Sequence, residues 1–344
     1  MKFKKLVALS SAIIIGSMSL IGCSNKADNT NNSGAKETIK VGMVADTGGI
    51  NDESFNQSAW EGLQEAEKEL GIEIKVIESR QASEYLGNIE TLVDDGMNLI
   101  IGVGYTMADD IKTQAENYPD VNFALIDETY DEIPSNVTPI VFKANEAAYL
   151  TGLIAGKMTK TNQVGFIGGM ESPVISKFDY GFRAGVKAAN PDAEVMVQYA
   201  NSFTDSALGK TIANQMHSKN ADIIFTCAGA VGIGAIEAAK ENGKKAIGVD
   251  QDQNSLAPEN VITSAMKNID VSVEEMLSKV VDGSYKGGEI IVNTLAMNGV
   301  GIPQSSEKNV PPDVLTYVKE EAEKVKSGEV KVPATKEEFE QLNK

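Results

Sequence analysis

Segments with the composition of β-strands alternate with segments of helical periodicity along most of the chain, and this alternation limits the folds that the chain can adopt. Strands are predicted at 39–45, 72–77, 98–103 and 121–126, with helices at 55–70, 84–95 and 107–117 between them. Strict alternation with short loops predicts a parallel sheet that is covered by helices on both faces.

The alternation then restarts, which predicts a second unit of the same kind. After a helix at 146–158, strands at 164–167, 194–199, 222–225 and 245–249 alternate with helices at 174–189, 206–218 and 233–242. We therefore expect an α/β protein of two doubly wound parallel-sheet lobes, joined near 137–143.

The tail from 261 has helices at about 272–281 and 313–326 but too few strands for a third lobe. We expect it to return across both lobes and form a multi-crossover hinge.

These segments define the expected domain boundaries. The N-terminal lobe takes 38–142 plus about 265–290, and the C-terminal lobe takes 143–264 plus about 291–344. In such a pair of lobes, a ligand binds between the carboxyl ends of the strands.

The first 37 residues have the features of an exported and lipid-anchored protein. Three lysines in Met1–Lys5 precede the apolar stretch Leu6–Ile21, which is shorter than the roughly 20 residues that span a bilayer. Leu20-Ile21-Gly22-Cys23 resembles a bacterial lipobox. We expect a signal peptide at 1–22, a lipid on Cys23 and a flexible polar tether at 23–37, which place the protein on the extracytoplasmic face of the cell membrane. The alternative is an uncleaved membrane anchor with an incidental cysteine.

Charge and cysteine content exclude several classes of function. The formal charge is −18, and it becomes −21 without the first 22 residues, which hold three lysines and no acidic residue. Such a surface repels phosphate backbones, so we expect no nucleic acid as a partner. The two cysteines, Cys23 and Cys227, form no CxxC pair, so we expect no zinc site and no disulfide scaffold. Cys227 follows an apolar run and is predicted to be a buried, inert thiol.

Two segments resemble enzyme motifs, but each lacks a required part. Gly209-Lys210-Thr211 ends like a P-loop, but Thr204 stands where the loop needs its first glycine. Ser264-Ala-Met-Lys267 matches SxxK, but no Lys-Thr-Gly follows it. His217 is the only histidine, at a polar helix end, which argues against a catalytic triad and a histidine-rich metal site. We expect neither catalysis nor a cofactor or bound metal.

Polar and aromatic residues instead cluster where predicted strands end. The first strand runs into Asp46–Trp60, the third into Gly104-Tyr105 and the fourth into Asp127. In the second half, Phe178 precedes Tyr180-Gly-Phe182, and Gly229 and Asp250 follow strands. Helix capping or core packing explains many of these residues singly, and plain turn geometry explains Gly229. Their joint placement at strand ends favours a ligand-binding cleft.

The first of these segments resembles a known family. Asp-Thr-Gly-Gly-Ile-Asn-Asp-Glu-Ser-Phe-Asn-Gln-Ser-Ala-Trp-Glu-Gly, from Asp46 to Gly62, is similar to the opening motif of the basic membrane protein family. Those proteins are lipoprotein binding components of ABC importers with the type I periplasmic-binding-protein fold. Weaker similarity continues in Phe178–Gly185, Cys227–Gly232, Gly248–Gln253, Thr263–Lys267 and Ser327–Pro333. The branch that the chain most resembles is the purine nucleoside receptor lipoproteins.

The resemblance implies a role for each candidate residue. Trp60 or Phe55 from the first lobe and Phe178 from the second would stack on the base. Its polar edge would be bound by Asn51, Asp52 or Asn56 and by Asp127, with Tyr105 in the cleft wall. The ribose would be held by Asp250, Lys267 and the backbone of Gly229, although Ala230-Val231 and a short 250–267 loop depart from the family pattern.

The resemblance also implies the partners and leaves alternatives open. The ligand would be guanosine, inosine or adenosine, and the protein, as a monomer, would deliver it to an ABC permease in the membrane. A sugar or another small polar ligand suits the same fold. A surface adhesin or signalling lipoprotein and a secreted nucleosidase are further alternatives.

Overall fold

The computed structural model describes residues 38–342. The predicted signal peptide, Cys23 and the tether at 23–37 lie outside the described residues. Within the described part, no helix is both long and apolar enough to cross a bilayer.

Twelve strands form the two sheets of the described chain. They are β1 (Lys40–Ala45), β2 (Glu73–Glu78), β3 (Leu99–Val103), β4 (Asn122–Ile126), β5 (Val137–Phe142), β6 (Gln163–Gly168), β7 (Glu194–Tyr199), β8 (Ile223–Cys227), β9 (Lys245–Asp250), β10 (Val261–Lys267), β11 (Ile291–Asn293) and β12 (Val300–Gly301).

Ten α-helices connect and cover these strands in the described residues. They are α1 (Phe55–Leu70), α2 (Tyr85–Asp94), α3 (Ala108–Asn117), α4 (Ala144–Met158), α5 (Pro173–Ala189), α6 (Ser206–Ser218), α7 (Ala230–Glu241), α8 (Ile269–Asp282), α9 (Pro312–Lys326) and α10 (Lys336–Leu342).

The two sheets have the same layout. The first has the order β11-β5-β4-β3-β1-β2, and all of its strands run parallel. The second has the order β12-β10-β9-β8-β6-β7 and is parallel except for β12. Central strands β3 and β8 are buried along their whole length, whereas the edge strands β2 and β7 are mostly half-buried or exposed. This is the burial expected when helices cover both faces of a sheet, and it confirms the predicted α/β fold class.

The segment 137–142, where sequence reasoning placed only the join between lobes, is a full strand of the first sheet. The sequence did not predict this strand because it contains Pro139, and proline lacks the N–H that a strand donates to its neighbour. The carbonyl oxygens of Asn136 and Ile140 accept the N–H groups of Phe123 in β4 and of Asp127 directly after it, so the nitrogen of Pro139 faces away from β4. The strand on that side, β11, pairs with β5 only from Ile140 onward. The missing N–H of Pro139 therefore costs no hydrogen bond of the sheet.

The tail after Val261 alternates between the two sheets. β10 and β12 belong to the second sheet and β11 to the first, while α8 packs against α1. The chain therefore crosses between the sheets at 142–144, at 267–269 and at 293–300. These crossovers are bonded to each other: Lys143 donates its N–H to the carbonyl of Asn293 at 2.8 Å, and Asn268 donates to that of Gly299 at 3.0 Å.

Helices α4 and α5 pack with their backbones in close approach, and glycines make this possible. A Cβ added at Gly152 would lie 2.2 Å from the carbonyl oxygen of Phe182, and one at Gly185 would lie 2.1 Å from that of Tyr149. Because the obstructing atoms are backbone, no side-chain rotation could relieve the contact.

Gly185→Ala should therefore destabilise the protein, by about 1–3 kcal/mol as for other overpacked interiors. Gly87→Ala is the matched control, because Gly87 lies in α2 and a Cβ there would meet nothing within 4 Å. That change should raise the free energy of unfolding by roughly 0.5–1 kcal/mol. Urea unfolding measures both, and equal stabilities of the two variants would contradict the packing account.

His217 does not have the polar setting that its sequence neighbours indicate. It lies near the end of α6, but its side chain is buried and its Nδ1 is 2.9 Å from the carbonyl oxygen of Ala221. Burial lowers the pKa of the imidazole. The aliphatic face of α6, which includes Ile212 and Met216, packs on the second sheet, and His217 lies next to this buried face.

A lowered pKa of His217 makes stability depend on pH. As the pH falls below about 6.5, the unfolded chain binds a proton at His217 before the folded chain does, so this residue lowers stability progressively. His217→Gln removes that effect while the carboxylates stay unchanged. The free energy of unfolding of the variant, minus that of the wild type, should therefore increase from about pH 7.5 to about pH 5. A difference that stays constant would contradict the assigned burial.

Candidate ligand-binding cleft

The carboxyl ends of strands from both sheets enclose a cavity of about 200 Å³. In parallel sheets these ends meet along one edge, so residues that directly follow strands are brought together. Of the predicted site residues, those lining the cavity are Asp52, Phe55, Asn56, Tyr105, Asp127, Phe178, Gly229, Asp250 and Lys267.

Two predicted site residues lie elsewhere. Asn51 is exposed in the loop before α1 and does not line the cavity. Trp60 is half-buried and packs against the hydrophobic core. Trp60 lies five positions after Phe55, so its side chain is turned roughly 140° from that of Phe55 around the helix axis. Phe55 is thus the aromatic side chain that α1 places at the cavity.

Lys267 is the charged centre of the cleft. It ends β10, is 2% exposed, and its ammonium forms an ion pair with Asp127 of the opposite sheet. The nitrogen also lies 3.5 Å from Oδ1 of Asp250 and 4.4 Å from the ring centroid of Phe55. Burial alone would lower the pKa of Lys267, but the two carboxylates outweigh burial and raise it. The side chain therefore stays charged at neutral pH.

Asp127 and Asp250 hold equivalent positions in the two sheets, directly after β4 and at the end of β9. Both have left-handed backbone conformations, with φ of 72° and 63°. Aspartate is one of the few residues other than glycine that adopts this region readily. Burial raises the pKa of Asp250, while Lys267 and the hydroxyl of Ser54 lower it.

Asp46 directly follows β1 and lines the cavity as well, although sequence reasoning did not select it. Its Oδ1 accepts the N–H of Gly48 and the amide of Asn56, both at 2.8 Å. Among residues 38–342, no group donates a hydrogen bond to its Oδ2. Burial raises the pKa of this carboxyl. The available signal was its position after a strand, which is the feature that selected Asp127.

Asp52 lines the cavity, but its oxygens are used within its own loop. Oδ1 accepts the N–H groups of Ser54 and Gln57 at 3.0 and 3.1 Å. Oδ2 accepts the N–H and the side-chain amide of Asn56, each at 3.0 Å. Asp52 therefore caps the start of α1 and orients Asn56, whose Oδ1 in turn accepts the N–H of Asp46 at 3.0 Å.

Two phenylalanines of the second lobe line the cavity in different ways. Phe178 is 1% exposed and packs edge-on against Phe225, with ring centroids 6.2 Å apart. Phe203 is half-buried in the loop before α6, and sequence reasoning missed it because that loop has no periodicity. Its ring occupies the space over Gly169, where an added Cβ would lie 2.1 Å from Phe203 Cε1.

Gly229 and Cys227 complete the wall at the end of β8. Gly229 has φ of 54°, and a Cβ there would lie 2.9 Å from the carbonyl oxygen of Phe203, so the turn requires glycine. Cys227 is free and buried, as predicted, although it lines the cavity. Burial raises the pKa of its thiol well above the ordinary value.

The cavity thus combines aromatic surfaces with four carboxylates, of which Asp52 is hydrogen-bonded within its own loop, and one ammonium group. Carboxylates accept hydrogen bonds from hydroxyl, amino and ring N–H groups, and an asparagine both donates and accepts. Within residues 38–342, no cluster of histidine, cysteine and acidic side chains is arranged to hold a metal ion. The arrangement suits a flat, uncharged ligand that carries several donors.

Comparisons with known proteins agree with this geometry. The family model described as "ABC transporter substrate-binding protein PnrA-like" matches residues 39–336. The ABC transporter nucleoside-binding protein BmpA of Lactococcus lactis is 36% identical, over 96% of this chain and 99% of its own. Basic membrane protein A of Borreliella burgdorferi is 37% identical, over 96% and 97%. The resemblance that the Asp46–Gly62 motif indicated is confirmed.

Solved structures show the same architecture. An ABC transporter solute-binding protein from Aeropyrum pernix superposes with a TM-score of 0.82 at 27% identity, covering 89% of this chain and 96% of its own. One from Conexibacter woesei superposes with a TM-score of 0.72 at 25% identity, covering 86% and 99%. These neighbours confirm the type I periplasmic-binding fold.

The family role is that of a binding component rather than an enzyme, as the sequence predicted. Such components act on the extracytoplasmic side of a membrane, where they serve a permease. With the family model covering nearly all described residues, this chain belongs to the Bmp family of PnrA-like ABC transporter substrate-binding proteins.

Proposed function

We propose that the protein binds purine nucleosides in the interlobe cleft and delivers them to an ABC permease as a lipid-anchored monomer. The observation that carries the proposal is the pairing of two half-buried rings, Phe55 and Phe203, with carboxylates that surround the cavity. The name of the Lactococcus relative, a nucleoside-binding protein, supports this choice of ligand.

The base is assigned to Phe55, Phe203 and the polar groups beside α1. Each ring offers one stacking face from its own lobe. The Oδ2 of Asp46 is available to accept from a ring N–H or an amino group, and the amide of Asn56 lies beside it. Phe203 thereby takes the stacking role for which the sequence indicated Phe178, because Phe178 is committed to the core at Phe225.

The ribose is assigned to the charged end of the cleft. Asp127 and Asp250 accept from hydroxyls, Lys267 donates, and Gly229 lets the backbone approach the sugar. Asp127 is assigned to the ribose rather than to the base edge, because it shares the ammonium of Lys267 with Asp250. The cavity lining holds four carboxylates and one ammonium group, which already pairs with two of them, and this excess of negative charge disfavours a phosphate. We therefore propose the nucleoside rather than the nucleotide as the ligand.

The principal alternative within this fold is a sugar or another small polar ligand. Aromatic rings and carboxylates also suit sugars, so the two ligands must be separated by the contribution of base stacking. A pentose would leave one or both rings without a partner, whereas a purine would cover both.

Phe203→Ala should weaken guanosine binding by about 1–3 kcal/mol, the usual cost of losing one base-stacking ring. Phe55→Ala should have a similar effect. Trp60→Ala is the matched control on the same helix and should leave affinity unchanged, since Trp60 lies outside the cavity. Calorimetry with guanosine, inosine, adenosine, cytidine and ribose provides the measurement. Ribose binding as tight as any nucleoside, with Phe203→Ala neutral, would favour the sugar, and release of free base would indicate a nucleosidase.

We further propose that the lipid anchor is on Cys23. The evidence is the lysine-rich start, the short apolar stretch and the glycine before the cysteine. Two acyl chains at about 0.8 kcal/mol per buried CH₂ are sufficient for stable attachment.

Cys23→Ala should release the protein from membranes or leave its signal peptide uncleaved. Detergent partitioning and intact-mass spectrometry of the wild type and the variant test this expectation. A wild-type protein that kept its first 22 residues and carried no lipid would contradict it.

A further inference from the structure

The turn before α1 contacts the opposite lobe directly, through two hydrogen bonds that involve no ligand. Ser54 donates its hydroxyl to Oδ2 of Asp250 at 2.6 Å, and both side chains are buried. Gln253 donates its side-chain amide to the carbonyl oxygen of Glu53 at 2.8 Å. We call these four residues the interlobe clasp.

The backbone of the turn is shaped for these contacts. Glu53 has φ of 54°, a conformation that residues other than glycine rarely adopt. The surroundings keep it there: Asp52 accepts the N–H of Ser54 at 3.0 Å, and Gln57 accepts that of Glu53 at 3.2 Å. Strained backbone of this kind is typically found at functional sites. Here it points the Glu53 carbonyl and the Ser54 hydroxyl at the second lobe.

The other side of the clasp is equally well supported. Gln253 is 4% exposed, accepts the N–H of Val249 at 3.1 Å through its Oε1, and donates its own N–H to Ser264 at 3.1 Å. Its amide group therefore has one orientation, in which the donor faces Glu53. Neither half of the clasp can rotate freely.

Ser54 also determines the state of the Asp250 carboxylate. The ionisable groups that face Asp250 are Lys267, Asp127, Asp52 and Cys227. Only Lys267 among them favours the charged form, and its ammonium is shared with Asp127. The hydroxyl of Ser54 is thus the second group that stabilises the negative charge.

We propose that Ser54 is a positioning residue, which holds Asp250 for a ligand hydroxyl only when the lobes are closed. This inference rests on the proposed function, because it takes Asp250 as a ligand-binding group. When the lobes separate, Asp250 loses the donor that orients it, so tight binding and closure are coupled. Since both partners are protein groups, the clasp also favours closure by itself.

Ser54→Ala is the test, with Ser58→Ala as the matched control. Ser58 is a buried serine in the first turn of α1, four residues after Ser54, but its hydroxyl accepts only the N–H of Asp270 at 3.4 Å and bonds to no cleft residue. Ser54→Ala should raise the Kd for guanosine by about ten- to a hundredfold, the usual range for a hydrogen bond to a charged group. Ser58→Ala should leave it unchanged.

A pH profile separates positioning from a general loss of structure. Without the hydroxyl of Ser54, the pKa of Asp250 rises further. As the pH is lowered, the affinity of Ser54→Ala for guanosine should therefore begin to fall at a higher pH than that of the wild type. Ser58→Ala should keep the wild-type profile. Thermal unfolding verifies that both variants are folded. Equal Kd and equal profiles for the two variants would overturn the inference.

Scattering of the protein without ligand keeps the inference testable if guanosine does not bind. In small-angle scattering, Ser54→Ala should have a larger radius of gyration than Ser58→Ala, because the clasp favours the closed form. Failure of the wild type to bind any nucleoside overturns the proposed function, whereas identical radii overturn the clasp. The two failures are thus distinguishable.

Discussion

The cleft depends on the buried ion pairs of Lys267 with Asp127 and Asp250. An ammonium that is 2% exposed persists only if charged partners replace its lost hydration, and the two carboxylates do so. Asp127 belongs to the first sheet and Lys267 to the second, so their pairing also joins the lobes. Removing Lys267 would leave two buried carboxylates without a cationic partner, a loss that typically costs about 3–5 kcal/mol. The residues that define the site therefore also maintain its closed shape.

The repeated sheet order explains why these groups meet. β4 and β9 occupy the same place in the two sheets, and each is followed by or ends in an aspartate with left-handed backbone. The neighbouring strands β5 and β10 lead into two of the crossovers, which brings Lys267 to the level of both aspartates. One architectural rule, polar residues at the carboxyl ends of parallel strands, thus places acceptors from both lobes around a single cavity.

The sequence predicted the fold class and the strand-end residues because both follow from local periodicity. It missed the strand character of 137–142, where Pro139 is tolerated only because β11 is short. It could not distinguish Asp46 from Asp52, since which carboxylate is saturated depends on hydrogen bonds formed after folding. Phe203 lies in a loop without periodicity, and the partner of Ser54 is 196 residues away in the chain. Such contacts are properties of the tertiary structure and leave no short-range pattern.

The central claim is that the cleft takes a purine between two aromatic rings and a ribose between carboxylates. The most direct measurement is mass spectrometry of small molecules released when the protein, purified without denaturation, is unfolded. The account predicts a purine nucleoside in the released fraction, and its absence from that of a Phe55→Ala, Phe203→Ala double variant. Release of a sugar or an amino acid in place of a nucleoside, in equal amounts from both proteins, would contradict it.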